Sequence, residues 1–411
     1  MTTTFNSANY WENRYKENGN SGSGSYNNLA QFKADIINTF IIKHNIKSII
    51  DYGVGDGNQL KLIDTENKKY IGVDVSPTII KKCKEIFIKD TTKTFLLENE
   101  LNNQTAELLI SCDVIYHLIE DNVYNAYMNK LFNTSSKFVI IYAKNNNINH
   151  ASHVKFRNFT DYVVNNFKHW KLIKHIPNKY PQIILGKNNE NTSPSDFYIF
   201  EDFSIQIQIC KKWEKYIESL LLPSINIKLE GSLYSKHNSN ILYPALEPKR
   251  YNIISLIQTQ KPKNILEIGF NAGFSSLLMK MTNKDIELTC IDINEHKYVV
   301  PCFNIINTEY KKMNIILKPS QFALNQLIEE NKTYDIIHID GDHSLNGATR
   351  DLELCLKLSH NNTVIIFDDT NIEYLNNLCN VFIKNGKLKD YNLSNFIQCK
   401  EYKHRFFKVI T

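Results

Sequence analysis

One segment, a strand followed by a glycine loop and a second strand, occurs twice in the chain, over residues 48–74 and 264–292. The first copy reads SIIDYGVGDGNQL and then YIGVDVS, and the second reads NILEIGFNAGFSS and then LTCIDIN. In each copy the second strand ends in an aspartate, Asp74 or Asp292. This pattern is typical of open α/β sheets, whose ligands bind beyond the carboxyl ends of the strands. The duplication predicts two doubly wound, Rossmann-like α/β domains in tandem.

The two glycine loops indicate the kind of ligand. Gly53, Gly55 and Gly57 follow the spacing G-x-G-x-G, whereas the dinucleotide fingerprint has two residues before its last glycine. Acids beside the loops would repel a phosphate and suit a ligand with an ammonium and a sulfonium group, such as S-adenosyl-L-methionine. Asp74 and Asp292 stand where a carboxylate accepts hydrogen bonds from ribose hydroxyls. The predicted cofactor-binding residues are Asp51, Gly53, Gly55, Gly57, Asp74 and Asp113 in the first copy and Glu267, Gly269, Asn271, Gly273, Ser275 and Asp292 in the second.

A simpler interpretation also fits each copy. The glycines can be turn residues and the acids can be caps, so that the segment only builds a sheet. The repetition of the whole pattern favours the cofactor interpretation over this one.

Length and composition agree with two domains. The 411 residues suffice for two domains of ordinary size, predicted as 1–205 and 206–411. A net charge of +5 gives no basic stripe, so a nucleic-acid partner is not indicated. The eight cysteines form no C-x-x-C pair, and neither a signal peptide nor a membrane-spanning run is evident. These features predict a cytoplasmic protein without a membrane partner, and a homo-oligomer is left open.

The second half of the chain contains two more strands that end in acids. YDIIHIDGDH places Asp340 and Asp342 after one strand, and NTVIIFDDTN places Asp368 and Asp369 after another. Carboxylates that converge at strand ends are costly unless a cation neutralises them, and oxygen ligands suit Mg²⁺. Such a cation would lower the pKa of a bound hydroxyl, while His343 or Asp342 removes its proton. The alternative is that the acids are helix caps and turn residues.

With these motifs, the stretch 245–375 resembles the metal-dependent O-methyltransferases that include the catechol, caffeoyl-CoA and macrolide-sugar enzymes. The resemblance ranks His343 ahead of Asp342 as the base. Asn271 departs from the family by replacing the central glycine of the loop, although asparagine tolerates left-handed backbone better than most residues. His338 is expected to point away from Asp340, into the core. The metal ligands that the resemblance implies are Asp340, Asp368 and Asp369.

The first domain resembles another group of class I methyltransferases, through YWENRY, GSGSYNNL, DYGVGDGNQL, CDVIYHLIED and HVKFRNFTDYV. It lacks the paired acids, so its chemistry would depend on a side-chain base. His117, which follows Asp113 at the end of the fourth strand, is the predicted base. His153 and Arg157 are second-rank candidates for holding a substrate, and a purely structural role for His117 stays open.

Together these features predict a bifunctional S-adenosylmethionine-dependent O-methyltransferase. Its acceptor would be a hydroxyl of a sugar, a glycan precursor or a related small molecule. In a second hypothesis, one domain is a cofactor-binding scaffold, more readily the first. In a third, the substrate is RNA, against which the balanced charge and the lack of an Asn/Asp-Pro-Pro-Tyr type motif both argue.

Overall fold

The computed structural model describes residues 5–148, 153–182, 191–231, 233–236 and 239–410. The chain divides into two compact units, Met1–Phe203 (unit 1) and Ser204–Thr411 (unit 2). None of the helices in these described ranges has both the length and the apolar character needed to cross a membrane.

Unit 1 is built on a seven-stranded sheet in the order β3-β2-β1-β4-β5-β7-β6. Strands β1 to β5 pair in parallel, and β7 runs antiparallel between β5 and β6. Its strands are β1 (Ser48–Tyr52), β2 (Lys69–Asp74), β3 (Lys93–Leu97), β4 (Ala106–Cys112), β5 (Ser135–Ala143), β6 (Trp170–Ile176) and β7 (Asp196–Asp202). Its helices are α1 (Ser7–Lys16), α2 (Asn27–Lys43), α3 (Pro77–Ile86), α4 (Asp121–Thr134) and α5 (Phe159–Asn166).

Both faces of this sheet are buried. Neighbouring residues of β1 and β4 alternate between two core clusters, so that Ile50 and Leu109 pack on one face and Ile49 and Leu108 on the other. This explains why the strands are apolar at nearly every position, as is usual for parallel sheets covered by helices. Helix α3 begins directly after β2 because Ser76 Oγ accepts a hydrogen bond from Ile79 N at 3.2 Å.

Unit 2 repeats the same strand order, β10-β9-β8-β11-β12-β14-β13, again with the last two pairings antiparallel. Its strands are β8 (Asn264–Ile268), β9 (Glu287–Asp292), β10 (Met313–Leu317), β11 (Tyr334–Ile339), β12 (Ser359–Phe367), β13 (Leu388–Asp390) and β14 (Arg405–Val409). Its helices are α6 (Ser204–Tyr216), α7 (Leu222–Ile225), α8 (Glu247–Gln260), α9 (Phe274–Thr282), α10 (Val299–Tyr310), α11 (Ser320–Glu329), α12 (Leu345–Lys357) and α13 (Glu373–Lys384).

The identical strand orders confirm the predicted fold class of two doubly wound α/β domains. In each sheet the strand order reverses between the first and fourth strands, β1 and β4 in unit 1 and β8 and β11 in unit 2. Connections from these two strands leave in opposite directions, which opens a crevice at their carboxyl ends. The glycine loops and the strand-end acids of each unit therefore meet at one place.

One segment differs from the sequence prediction. The segment DFYIFEDFSIQIQICK is expected to supply the final strands of the first domain. Its first half forms β7, but Ser204–Tyr216 is a helix of unit 2. Its buried residues are Gln206, Cys210 and Trp213, spaced four and three apart as on one helical face. Trp213 Nε1 donates to the carbonyl oxygen of Phe274 at 2.8 Å, so a tertiary contact of this face stabilises the helix.

Candidate active sites

The glycine loop of unit 1 is tied to the aspartate that ends β2. Asp74 accepts hydrogen bonds from Gly55 N at 3.1 Å and from Ser76 N at 3.0 Å. Gly53 has φ of 106°, and a side chain there would overlap Val114. The loop and the predicted ribose-binding carboxylate are thus held together at the end of the sheet.

Two carboxyl groups of unit 1 are buried where the cofactor is expected. Asp51 accepts a hydrogen bond from Tyr70 Oη at 2.8 Å. Burial raises the pKa of Asp51 to about 6, and burial likewise raises the pKa of Asp74 to about 6. Both groups line a cavity of about 260 Å³, together with Gly53, Gly55 and Asp113. Gly57 belongs to the same loop, with φ of 75°.

Helix α1 forms one wall of this cavity through Trp11 and Tyr15. Glu12 fastens the helix to the start of α3, because its carboxylate accepts from Ser76 Oγ at 2.5 Å and from Thr78 Oγ1 at 2.8 Å. Helix α1 is therefore anchored beside Asp74.

Asp113, which follows β4, has a left-handed backbone with φ of 60°. Its Oδ2 lies 2.6 Å from the Nζ of Lys33, and its Oδ1 accepts from Tyr116 Oη at 2.8 Å. Lys33 is 1 % exposed and belongs to α2. The sequence motifs gave no indication of this lysine.

His117 lines the unit 1 cavity and packs edge-on against Trp11, with ring centroids 5.0 Å apart. Its Nδ1 lies 3.2 Å from the carbonyl oxygen of His153. Because that oxygen can only accept, Nδ1 carries the hydrogen and Nε2 keeps its lone pair. Burial lowers the pKa of His117 to about 4, so the imidazole is neutral at neutral pH.

Arg157, a second-rank candidate for substrate binding, makes structural contacts. Its guanidinium donates to the carbonyl oxygens of Leu118 and Ile119 at 2.8 and 3.0 Å and pairs with Asp121 at 2.7 Å. Arg157 therefore fixes the segment after His117. His153 supplies the carbonyl oxygen that orients His117, and its ring stacks on Tyr10 at 5.6 Å.

The glycine loop of unit 2 repeats the arrangement around Asp292. Asp292 Oδ2 accepts from Asn271 N at 2.7 Å. Asn271 has φ of 50°, and its side chain Oδ1 accepts from Tyr298 Oη at 2.7 Å. Gly269 has φ of 94°, and a side chain there would overlap the backbone of Asp340. Gly273, with φ of 73°, precedes α9 and so brings Ser275 to the cavity.

Glu267 is the last residue but one of β8 and is fully buried. It accepts a hydrogen bond from Ser276 Oγ, and its Oε1 lies 3.0 Å from His338 Nδ1. These contacts place Glu267 behind the cavity wall, where it anchors the first turn of α9. A direct contact of Glu267 with a cofactor remains a prediction.

The cavity of unit 2 is larger, about 600 Å³, which is in the range of small-molecule sites. At its mouth, His343 Nε2 lies 3.7 Å from Asp340 Oδ1 and 3.0 Å from Asp369 Oδ2. Asp340 and Asp369 raise the pKa of His343 to about 10. Asp369 has a left-handed φ of 51° that turns the chain sharply after β12. The structure thus brings together three of the residues that the sequence singled out.

Asp368 is held on the other side of Asp340 by two basic groups. Its Oδ2 lies 2.6 Å from the Nζ of Lys249 and 3.5 Å from His338 Nε2. Burial opposes ionisation of Asp368, but Lys249 and His338 hold its pKa well below the usual range. Lys249 is 2 % exposed and was not found by the motif analysis, since it lies on α8, before the glycine loop.

His338 corrects one expectation. We expected it to point away from Asp340 into the core, but residues two apart on a strand share a face. His338 is buried, yet it lines the cavity between Glu267 and Asp368. Those carboxylates raise the pKa of His338 to about 10 although burial alone would lower it.

The donor atoms fit a divalent cation. Two groups of side chains have ligand atoms within 4.8 Å of one another, His338 with Asp340 and Asp368, and Asp340 with His343 and Asp369. Asp340 belongs to both, and carboxylate oxygens are the ligands that Mg²⁺ prefers. Asp342 belongs to neither group, because its Oδ1 accepts from Ser344 N at 2.8 Å near the start of α12.

The fold and these cavities define the class I methyltransferase architecture, present twice. A sequence model of the family described as "Methyltransferase domain" matches residues 266–370, which contain the glycine loop and the acids of unit 2. The match covers the part of unit 2 from strand β8 to the end of strand β12.

Curated relatives match 24% of the chain. The ribosomal RNA small subunit methyltransferase G of Lactococcus lactis subsp. cremoris (strain SK11) is 33% identical over 108 residues, which is 24% of this chain and 42% of that protein. The enzyme of the same name from Streptococcus pyogenes serotype M1 is 32% identical over 108 residues, with the same coverage. The chain thus spans less than half the length of these curated relatives.

Solved methyltransferase structures resemble the chain at low identity. The O-methyltransferase of Bacillus cereus is 15% identical, and the match covers 51% of this chain and 97% of that one, with a TM-score of 0.37. The methyltransferase domain of a bacterial Hen1 protein is 20% identical, with coverage of 43% and 100% and a TM-score of 0.35.

Proposed function

We propose that the chain is an S-adenosylmethionine-dependent methyltransferase in which unit 2 transfers a methyl group to a hydroxyl with the help of a divalent cation such as Mg²⁺. One observation carries this proposal. Asp340, His343 and Asp369 meet at the mouth of the cavity that also contains the Asn271 loop and Asp292. Cation ligands, a base and a cofactor loop thus share one cavity.

The residues of unit 2 would divide the work as follows. When bound, S-adenosylmethionine supplies an electrophilic methyl group, and the cation supplies positive charge that favours ionisation of the acceptor hydroxyl. Asp292 would accept hydrogen bonds from the ribose, and Ser275 would face the cofactor from the first turn of α9. Asp340 and Asp369 would hold the cation, with Asp368 as the predicted third ligand.

His343 would take the proton of the acceptor at Nε2. While Asp340 and Asp369 carry uncompensated charge, that nitrogen is itself protonated, because the two carboxylates raise the pKa of His343 to about 10. The base therefore becomes available once the charge of these carboxylates is balanced. Asp342 is the less suitable base because its carboxylate already accepts a hydrogen bond from Ser344 N, which lowers the pKa of Asp342.

Unit 1 would work without a metal. Both groups of three potential metal ligands found among the described residues lie in unit 2. His117 instead offers a neutral imidazole whose Nε2 is left with its lone pair, which suits a general base. We propose that unit 1 is a second methyl-transfer site of this metal-independent type.

The acceptor class, a hydroxyl of a sugar, a glycan precursor or a related small molecule, is supported by the resemblance of residues 245–375 to the O-methyltransferases. The test is incubation of purified protein with methyl-labelled S-adenosylmethionine, Mg²⁺ and a panel of monosaccharides, nucleotide sugars and catechols, followed by mass spectrometry. Label in an acceptor oxygen supports the proposal. Label in no hydroxylated acceptor would contradict it.

RNA is a second candidate substrate because the curated relatives are named as ribosomal RNA methyltransferases. Label transferred to ribosomal RNA but to no saccharide would favour it. A nucleic-acid complex should also weaken steeply with added salt, since phosphate contacts release counterions.

A scaffold role for unit 1 is supported by its smaller cavity, about 260 Å³ against about 600 Å³ in unit 2. Asp113→Ala and His117→Ala test this role. Unchanged methylation products in both variants would favour the scaffold, whereas loss of one product with folding intact favours a second enzyme.

The free cysteines support the cytoplasmic location that we propose.

A further inference from the structure

Each unit contains a buried lysine paired with a strand-end aspartate inside its cavity. In unit 1, Nζ of Lys33 lies 2.6 Å from Asp113 Oδ2, and in unit 2, Nζ of Lys249 lies 2.6 Å from Asp368 Oδ2. The two lysines are 1 % and 2 % exposed, and all four residues line the cavities. Neither lysine belongs to a motif used above.

The two lysines occupy the same place in the repeat. Lys33 stands eighteen residues before Asp51, and Lys249 stands eighteen residues before Glu267. Each lies on the helix that precedes the first strand of its sheet, α2 or α8. The acids that they reach differ, because Asp113 follows the fourth strand of unit 1 and Asp368 follows the fifth strand of unit 2.

Stability alone does not explain such a pair. Removing two charges from water is costly, and replacing a buried ion pair by apolar residues is often neutral or stabilising. The pair nevertheless occurs in both copies, and in both it reaches an acid of the cavity. A role in the site accounts for this repetition.

We infer that Lys33 and Lys249 are positioning residues that fix the carboxylates of Asp113 and Asp368 in the orientation used by bound cofactor or cation. For unit 2 this inference rests on the proposed cation site. Each carboxylate is held at both oxygens, since Tyr116 Oη donates to Asp113 Oδ1 at 2.8 Å and Asp369 N donates to Asp368 Oδ1 at 2.8 Å.

The effect of removing Lys249 on cation binding differs in sign between a positioning role and a role in charge balance alone. If Lys249 only neutralised Asp368, its removal would make the cavity more negative and strengthen the binding of a cation. If Lys249 positions Asp368, its removal should weaken cation binding by about 10-fold to 100-fold, as is typical for the groups that orient metal ligands. The sign of the change therefore separates the two roles.

The experiment for unit 2 is titration of the full-length protein with Mn²⁺, followed by electron paramagnetic resonance of the free ion. Lys249→Met should weaken Mn²⁺ binding by about tenfold or more. Unchanged or tighter binding would overturn the inference. Lys280→Met is the matched control, because Lys280 is equally buried but donates to the backbone oxygens of Lys284 and Ile286, and it should leave Mn²⁺ binding unchanged.

A folding check accompanies this titration. Lys249→Met leaves the buried carboxylate of Asp368 with His338 but without its lysine, and the fold of the variant is verified by circular dichroism. If this variant does not fold, the double variant Lys249→Met with Asp368→Asn removes both charges and replaces it. The double variant should also bind Mn²⁺ about tenfold more weakly, since the positioned carboxylate is gone. Wild-type affinity in the double variant would overturn the inference.

The experiment for unit 1 is calorimetric titration of S-adenosylmethionine into Asp292→Ala protein, in which the cofactor site of unit 2 is disabled. Adding Lys33→Met should weaken the remaining site by about tenfold if Asp113 needs its lysine, whereas relief of repulsion with the sulfonium would strengthen it. Unchanged or tighter binding overturns the inference for unit 1.

Failure of the proposed function has a separate signature. Wild-type protein that binds no Mn²⁺ contradicts the cation site of unit 2, and the cofactor titration on unit 1 then decides the role of the lysine. Wild-type protein that binds neither Mn²⁺ nor S-adenosylmethionine would overturn both the proposed function and the inference about the two lysines.

Discussion

His343 Nε2 lies 3.0 Å from Asp369 Oδ2, so the base candidate and a cation ligand of unit 2 are in direct contact. Asp340 Oδ1 lies 3.7 Å from the same nitrogen. A cation bound by these carboxylates and a proton on His343 therefore compete for the same negative charge. This competition links metal binding to the protonation of the base.

Removal of divalent cations should abolish methyl transfer by unit 2 and leave transfer by unit 1 intact. The physical reason is that the proposed cation would neutralise the acids of unit 2, whereas the proposed base of unit 1 is the neutral imidazole of His117. Product analysis by mass spectrometry before and after treatment with EDTA checks this. Readdition of Mg²⁺ is the control, and a unit 2 product that persists in EDTA would contradict the cation site.

His343→Gln should lower methyl transfer by unit 2 by about a hundredfold to ten-thousandfold, the usual contribution of a general base. The glutamine keeps a polar side chain of similar reach but takes no proton at neutral pH. The matched variant is Asp342→Asn, which should stay near wild-type activity because its Oδ1 can still accept from Ser344 N. If Asp342→Asn is the more damaging change, the ranking of the two bases is wrong.

Cofactor binding by unit 1 should weaken as the pH falls below about 6, the raised pKa of Asp74. Burial favours the neutral carboxyl, and a protonated Asp74 accepts hydrogen bonds from ribose less well than the carboxylate that is present at higher pH. Affinity should therefore be highest above this pKa and fall as the group gains its proton. Calorimetric titrations across this range in Asp292→Ala protein measure it. The dependence should become weaker in the additional Asp74→Asn variant, where Asp51 is left as the other buried carboxyl group with a pKa of about 6.

Asn271→Ala should destabilise unit 2 by about 2 kcal/mol, from the left-handed backbone and the lost hydrogen bond to Tyr298. Asn271→Gly should cost less, about 1 kcal/mol, because glycine adopts a positive φ without strain. Urea denaturation of the two variants measures the difference. Equal losses would show that the φ of 50° at Asn271 contributes nothing to the preference for asparagine.

Much of the fold was predictable from the sequence because its signals are local. The strand-loop-strand copies and their strand-end acids predict the two α/β sheets. The prediction of a strand over SIQIQICK is wrong because the tertiary packing of Trp213 makes that segment helical. The orientation of His338 could have been predicted, since residues two apart on a strand share a face.

The lysines of the site were less accessible to sequence reasoning. Lys33 and Lys249 lie eighteen residues before the motif acids on helices, and nothing in their neighbourhood marks a charged residue as buried. Their partners, Asp113 and Asp368, are about 80 and 120 residues away along the chain. Contacts of this range emerge only once the strand order is known. The signal that could have found these lysines is their shared position in the two copies, eighteen residues before the acid of the first strand.

Calorimetric titration of S-adenosylmethionine into the full-length protein would show whether both units bind the cofactor. The titration is repeated with Asp74→Ala and with Asp292→Ala, and circular dichroism verifies that each variant is folded. We predict two sites in the wild type, of which Asp74→Ala removes one and Asp292→Ala the other. A single site that only one of the variants removes would contradict the account and leave the unresponsive unit without a cofactor role.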